Sequence, residues 1–327
     1  MSHNSINSID TPQLLEKQKN LETLQLDFNL NLNENGNKRI LEQKSLKRMS
    51  CKGCGFEKIQ SQHFTGIVNI VELNFSKNRI SAIDVDAFES NRNLRQLDLT
   101  ENKLKVLHYL TFSKSRSLEE LSLSQNPIEL PKNKPFLKCD PLKRLTMSNC
   151  HFIDLYKETF IELKNMEVLN LNENRIEVLP ADAFKLNLKL KSLFVETNRL
   201  KFIPFNILDY LPLLVELCVD KNTFVNSQEF SNFVQKYDVR RLRTSNCNSD
   251  VIYFIENLFT EPGNSSTTTN TSEAATETSV KMPNINTKGI SNFFIGSYLS
   301  IILIVQAVAF VLLTLYLIKI SKYEKLG

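Results

Sequence analysis

VELNFSKNRI, residues 71–80, comes back every 24 residues. Copies in one phase begin at Lys47, Val71, Arg95, Glu119, Lys143, Glu167, Lys191 and Val215, with an earlier copy at Glu22 and a looser one at Arg240. The third and fifth residues are apolar in every copy but the looser last, as in Leu73 and Phe75, Leu97 and Leu99, or Leu169 and Leu171. The eighth is Asn or Cys: Asn29, Cys54, Asn78, Asn102, Asn126, Cys150, Asn174, Asn198, Asn222 and Cys247. Apolar alternation with period two marks a half-buried strand. A strand returning in constant phase stacks as a parallel sheet, one strand per coil. The eighth residue ends the strand, where the backbone turns inside the stack and its polar groups need partners. An Asn amide is expected to bond the turns above and below; a Cys is small enough to fill the slot.

The eighteenth residue is Phe64, Phe88, Phe112, Phe136, Phe160 and Phe184, then Leu208. This predicts a spine of six stacked rings, each burying on the order of 200 Å². No coil can bury its own apolar face alone, so stability comes from its neighbours. A period of roughly 20 to 50 residues marks a stacked-repeat protein. With this pattern the chain resembles the leucine-rich repeat family, and its repeats resemble those of Toll-type receptor ectodomains, over about residues 22–250. The resemblance implies an α/β repeat solenoid, a horseshoe with a parallel β-sheet on its concave side. It also implies a binding module rather than an enzyme.

Composition agrees with a globular chain: 42% hydrophobic and 23% charged residues, with a net charge of +4. That charge is too mild and scattered to predict a nucleic-acid partner. No DxDxDG, HExxH, P-loop or GxSxG pattern occurs, so the sequence offers no catalytic, cofactor or metal residues. Cys51 and Cys54 form a CxxC, but no second CxxC or HxxxH completes a metal site. With Cys150 and Cys247 they occupy inward positions and are expected to be buried thiols. Cys139 and Cys218 fall in variable positions open to exposure. The cysteine-rich caps common in extracellular members of the family are missing from the sequence, which weighs against that compartment.

Residues 1–21 read as the convex half of a coil whose beginning lies upstream, so a truncated N-terminus is expected. No apolar run near Met1 resembles a secretory signal. Residues 22–239 hold nine coils. Phe230, Phe233 and Val234 in the last of them predict a short helix. Residues 240–260 are expected to supply a last strand and a C-terminal cap. In residues 261–292, ten of the sixteen residues from Asn264 to Ser279 are Ser or Thr. Such a stretch cannot offset its ordering entropy and is expected to be a disordered stalk. Residues 293–318 are 26 residues without a charge, longer than the roughly 20 needed for a transmembrane helix. The tail, 319–327, carries Lys319, Lys322 and Lys325, which predicts a cytoplasmic C-terminus. It is too short for a signalling domain of its own.

The second, fourth and sixth residues of each coil are expected to face outward on the concave sheet. Seven of these 27 are acidic and three basic, an excess of four negative charges on a positive chain. Asp98, Glu120, Arg144, Asn170, Phe194, Glu196, Glu216 and Asp220 are the candidate ligand-binding residues. Asn74, Asn264 and Asn270 begin N-glycosylation sequons. The expectation is a plasma-membrane, single-pass protein with extracellular repeats. It would recognise a protein ligand on the concave face or flank, as an adhesion molecule or as a co-receptor working through a partner receptor. The alternative is a C-terminally anchored intracellular scaffold. The spine predicts that Phe112→Ala loses about 3–5 kcal/mol, through a ring-sized cavity between coils. Chemical unfolding measures it, and a loss under about 1 kcal/mol would mean the register is misassigned.

Overall fold

The computed structural model describes residues 18–30, 32, 39–204 and 206–224. A nine-stranded parallel sheet runs through it. Its strands are β1 (Thr23–Gln25), β2 (Arg48–Ser50), β4 (Glu72–Asn74), β6 (Gln96–Asp98), β7 (Glu120–Ser122), β8 (Arg144–Thr146), β9 (Val168–Asn170), β10 (Ser192–Phe194) and β11 (Glu216–Cys218). β3 (Lys58–Ile59) and β5 (Ala82–Ile83) pair separately. Leu73 faces Leu97, Leu97 faces Leu121 and Leu145 faces Leu169, so the 24-residue period is the register of the sheet. The third and fifth residues of every coil are buried, from Leu24 and Leu26 to Leu217 and Val219. The fold is therefore the expected parallel solenoid. The predicted transmembrane helix, stalk, cap, tail and short helix at Phe230, Phe233 and Val234 lie outside the described residues, as do Cys247 and residues 1–17. Among the described residues no helix is long and apolar enough to cross a membrane.

A ladder of asparagines ties the coils together. Asn126 donates its amide to the carbonyls of Leu123 at 3.0 Å and Ser124 at 3.2 Å in its own coil. It also donates to Leu99 in the coil before, at 2.9 Å. Its Oδ1 accepts the Leu104 N–H at 3.0 Å. Asn78, Asn102, Asn174, Asn198 and Asn222 repeat this pattern. The bonds reach one way only, toward the preceding coil, and not above and below as the sequence suggested. At Cys150 the acceptor is missing, and the Ile128 N–H turns instead to the Asn126 carbonyl. The Leu32 N–H, opposite Cys54, turns to the Asn29 carbonyl in the same way.

The turn at the ladder forces a second regularity that the residue types hide. The seventh residue of each coil has a left-handed backbone: Phe28, Gly53, Lys77, Glu101, Gln125, Asn149, Glu173, Thr197 and Lys221 all have φ between 53° and 63°. Only Gly53 and Asn149 are types that adopt it readily. Thr197, which is β-branched, is the most strained. Outside the core, ion pairs join equivalent positions one coil apart, among them Lys77–Glu101, Lys143–Glu119 and Lys191–Glu167. Exposed pairs of this kind contribute little stability each, but they disfavour a slipped register.

Three expectations are corrected. The phenylalanine spine is two stacks, not one of six rings. Phe64, Phe88 and Phe112 stack with centroids 5.5 and 5.7 Å apart, and Phe160 stacks on Phe184 at 5.9 Å. Phe136 is buried but stacks on neither neighbour. Its coil carries Pro131 and Pro135 around Asn133, whose φ is 55°, so its convex path differs. Cys51 and Cys54 are buried but form a disulfide rather than thiols. The tight turn at Gly53 brings their Cα atoms to 5.5 Å, within disulfide range. Cys139 and Cys218 are fully buried rather than exposed, and Cys218 is disulfide-bonded. Cys139 and Cys150 remain free, and burial pushes both thiols up to about 12, where they are protonated and inert.

The ladder makes a graded prediction. Asn126→Ala leaves the Leu104 N–H and three carbonyls without their partner, and is expected to cost at least about 2 kcal/mol. Asn126→Cys is expected to cost less, because a thiol still donates and the N–H has a carbonyl to turn to, as at Cys150. Equal losses in urea unfolding would refute this account of the Cys coils.

Candidate functional site

The concave face between β6 and β11 forms an open groove of about 390 Å³. Three columns line it. The fourth residues of the coils form its floor, with Asp98, Ser122, Thr146 and Asn170. The sixth residues form one wall: Thr100, Ser124, Ser148, Asn172, Glu196 and Asp220. The left-handed seventh residues form the rim, with Gln125, Asn149, Glu173, Thr197 and Lys221. The left-handed turn is what tips this last column toward the groove's edge.

The floor is built from side chains that fold back on their own strands. Asp98 Oδ1 accepts the Thr100 N–H at 2.9 Å, and Asn170 Oδ1 accepts the Asn172 N–H at 2.8 Å. Asn74 does the same for Ser76, at 2.9 Å from its N–H and 2.7 Å from its hydroxyl. The fourth residues, expected to stand outward, are therefore nearly covered; Asn170, Phe194 and Cys218 are at most 1% exposed. Strands about 4.8 Å apart leave little room between flanking columns. Asn74 is 6% exposed and engaged with its own sequon's Ser76, so a glycan there would have to be added before the coil folds. Hydroxyls link the floor laterally, Thr100 to Ser122 at 2.7 Å and Thr146 to Ser122 at 2.8 Å.

Four of the eight candidate residues meet in this groove: Asp98, Asn170, Glu196 and Asp220. Glu120 and Arg144 pair with each other along the second-residue column, outside the groove's lining. Glu216 stands in that column too, and Phe194 lies beneath the surface. The sequence missed the seventh-residue rim. Its signal was Gly53 and Asn149, the two types that tolerate a left-handed backbone, standing in one repeat position. Among the described residues no group of three or more His, Cys, Asp or Glu is placed to hold a metal ion.

Glu196 is the most constrained charge in the groove. Its Oε2 accepts the Asn172 amide at 3.0 Å, and its N–H donates to Asn172 Oδ1 at 2.8 Å. Burial raises its carboxyl above the ordinary range; the Asn172 bond opposes this, and Asp220 and Glu216 add to it. A raised carboxyl favours the fold while protonated and loses that contribution as pH rises through its folded value. Glu196→Gln keeps an acceptor for Asn172 and removes the charge. It is expected to stabilise the protein at pH 7 by no more than about 1 kcal/mol, given how much of the group is in water. The gain should vanish in melting curves taken below the ordinary carboxylate range; a gain that persists there would exclude the electrostatic cause.

Residues 68–128 and 140–200 match the family profile described as Leucine rich repeat. No curated protein matches the chain. Solved structures similar to the chain include two receptor complexes. One is a TLR13–ssRNA13 complex, with 28% identity over 67% of this chain and a TM-score of 0.57. The other is the Toll–Spatzle complex, described as a hub in Drosophila development and innate immunity, with 20% identity over 68% of this chain and a TM-score of 0.56. The latter likeness bears on the fold alone. The chain covers 31% and 29% of those two chains. Profile, register and sheet agree: residues 68–128 and 140–200 match the leucine-rich repeat profile, in a solenoid similar in fold to TLR13 and Toll.

Proposed function

We propose that the groove recognises a protein ligand, and that the chain presents it outside the cell on a single membrane span, as an adhesion molecule or co-receptor. The observation that carries the binding half is the groove itself, polar side chains from six successive coils converging on one open concavity. Leucine-rich repeat solenoids serve as binding modules, and both similar structures are complexes, one with an RNA and one with Spatzle. The groove's charge favours the protein alternative. Asp98, Glu173, Glu196 and Asp220 stand against Lys221 alone, so a phosphate backbone meets repulsion instead of counterion release. The compartment half is supported by chemistry. The Cys51–Cys54 disulfide and a second one at Cys218 suit an oxidising environment. The uncharged stretch 293–318 and the sequons at Asn264 and Asn270 are consistent with it.

Two experiments on the full-length chain in cells test the two halves. Treatment with an N-glycosidase is expected to lower its apparent mass, and the double change Asn264→Gln and Asn270→Gln to abolish most of that shift. A chain with no shift would favour the cytosolic scaffold. For the groove, a photo-crosslinking residue at Ser148 is expected to give a protease-sensitive adduct on intact cells, while the same residue at Glu162 gives none. An adduct removed by ribonuclease would make the ligand an RNA and refute the protein reading.

A further inference from the structure

The end of the groove near β10 and β11 is built unlike the rest. From Asp98 to Ser148 its lining is mostly hydroxyls, with Thr100, Ser122 and Thr146 bonded to one another and Ser124 accepting the Ser148 N–H. Beyond them Glu173, Glu196 and Asp220 line the groove, and Asp220 and Glu216 are close enough to act on Glu196. Among these, Glu196 is held in place. Asn172 grips both its Oε2 and its backbone N–H, and Oε1 takes no donor from the described residues. Asp220 spends Oδ1 on the Lys221 N–H at 2.9 Å. Lys221 attracts Glu196 without forming an ion pair with it, and one ammonium against these carboxylates leaves this end a negative excess.

A second observation stands beside the carboxylates. Asn170, in the floor next to Asn172, is 1% exposed, and its Nδ2 has no hydrogen-bond partner. Its orientation is fixed, because Oδ1 is taken by the Asn172 N–H. An unmade hydrogen bond of a buried amide is costly, and only an acceptor brought by something else restores it. The site thus lacks two complementary things within one or two coils: a cation bonded directly to its fixed carboxylate and an acceptor for its amide.

We propose that this end of the groove seats a lysine or arginine side chain of an extended segment of the protein ligand. Glu196 and Asp220 take the cation, and the Asn170 amide takes a backbone carbonyl of the same segment. This rests on the assignment of the groove to a protein ligand and names the chemistry that ligand presents. The cation also relieves the repulsion that Asp220 and Glu216 impose on Glu196. A free amine or a metal would satisfy the carboxylates but leave the Asn170 amide unmade; a peptide supplies both groups at neighbouring positions.

The test uses the full chain in detergent and, as probe, a dye-labelled hexapeptide of alternating lysine and serine, followed by fluorescence anisotropy at low salt. Glu196→Gln and Asp220→Asn are each expected to weaken binding about tenfold or more, and acetylating the probe's lysines to abolish it. Glu89→Gln on another face is expected to change nothing. Since Gln at 196 still accepts from Asn172, the variant retains its fold, and circular dichroism checks it. Binding that is unchanged in both groove variants, or equal for the acetylated probe, overturns the proposal. If the Ser148 crosslink still captures a protein in that case, the groove remains the binding face and only the cation seat is wrong. If it captures none, both fall together.

Discussion

The turn that follows every strand must bury a run of backbone amides and carbonyls, and the asparagine ladder is what makes this tolerable. One side chain with two donors and an acceptor satisfies four backbone groups in two coils, as Asn102 does for the Phe75, Leu99 and Thr100 carbonyls and the Ile80 N–H. A buried backbone group without such a partner costs about as much as a lost hydrogen bond. Everything else in the solenoid follows from fixing that turn. The third and fifth residues are held inward, the strands are held to three residues, and the seventh residue is driven left-handed so that the chain can leave the sheet.

The sheet, its register and its core were legible because each rests on side-chain type repeated at fixed spacing. Leu97 and Leu99 alternate, Asn102 follows, and Phe112 comes ten residues later. What was not legible depends on geometry that no residue type encodes. Lys77, Glu101, Gln125, Glu173 and Lys221 share a left-handed backbone and nothing chemical, so the rim of the groove cannot be read from them. Period-two alternation placed Asn170 and Phe194 outward, yet their neighbours on adjacent strands close over them. The spacing of Cys51 and Cys54 was visible, but their pairing needed the turn at Gly53 to bring them together. Four of the candidate residues line the groove, Asp98 and Asn170 as fourth residues in its floor and Glu196 and Asp220 as sixth residues in its wall. The others lie outside its lining: Glu120 and Arg144 pair with one another in the second-residue column, Glu216 stands in that column, and Phe194 is buried.

Strain and recognition share the same residues here. Thr197 and Glu173 occupy a backbone region that costs such residues roughly 1–2 kcal/mol, and both border the acidic end of the groove. The stack over-determines their conformation, since the residues on either side are locked by the sheet and by Asn198 and Asn174. The rim is therefore rigid, and a ligand meets side chains that have already lost their backbone freedom. Preorganisation of this kind reduces what binding must spend on ordering.

The one-sidedness of the asparagine bonds has a consequence for how the chain is made. Each amide reaches 27 residues back and each Oδ1 accepts from 22 residues back, so every partner has left the ribosome before the asparagine that needs it. A nascent coil can close on a finished template the moment its eighth residue emerges, without waiting for sequence still to come. Domains generally fold from the N-terminal side during synthesis, and this solenoid has that order written into its hydrogen bonds as a ratchet. Cys150 is a missing tooth in it. There the growing stack advances on the weaker bond from the Cys150 thiol to the Leu123 carbonyl, at 3.4 Å, until Asn174 arrives and accepts the Cys150 and Phe152 N–H groups at 2.9 and 3.1 Å.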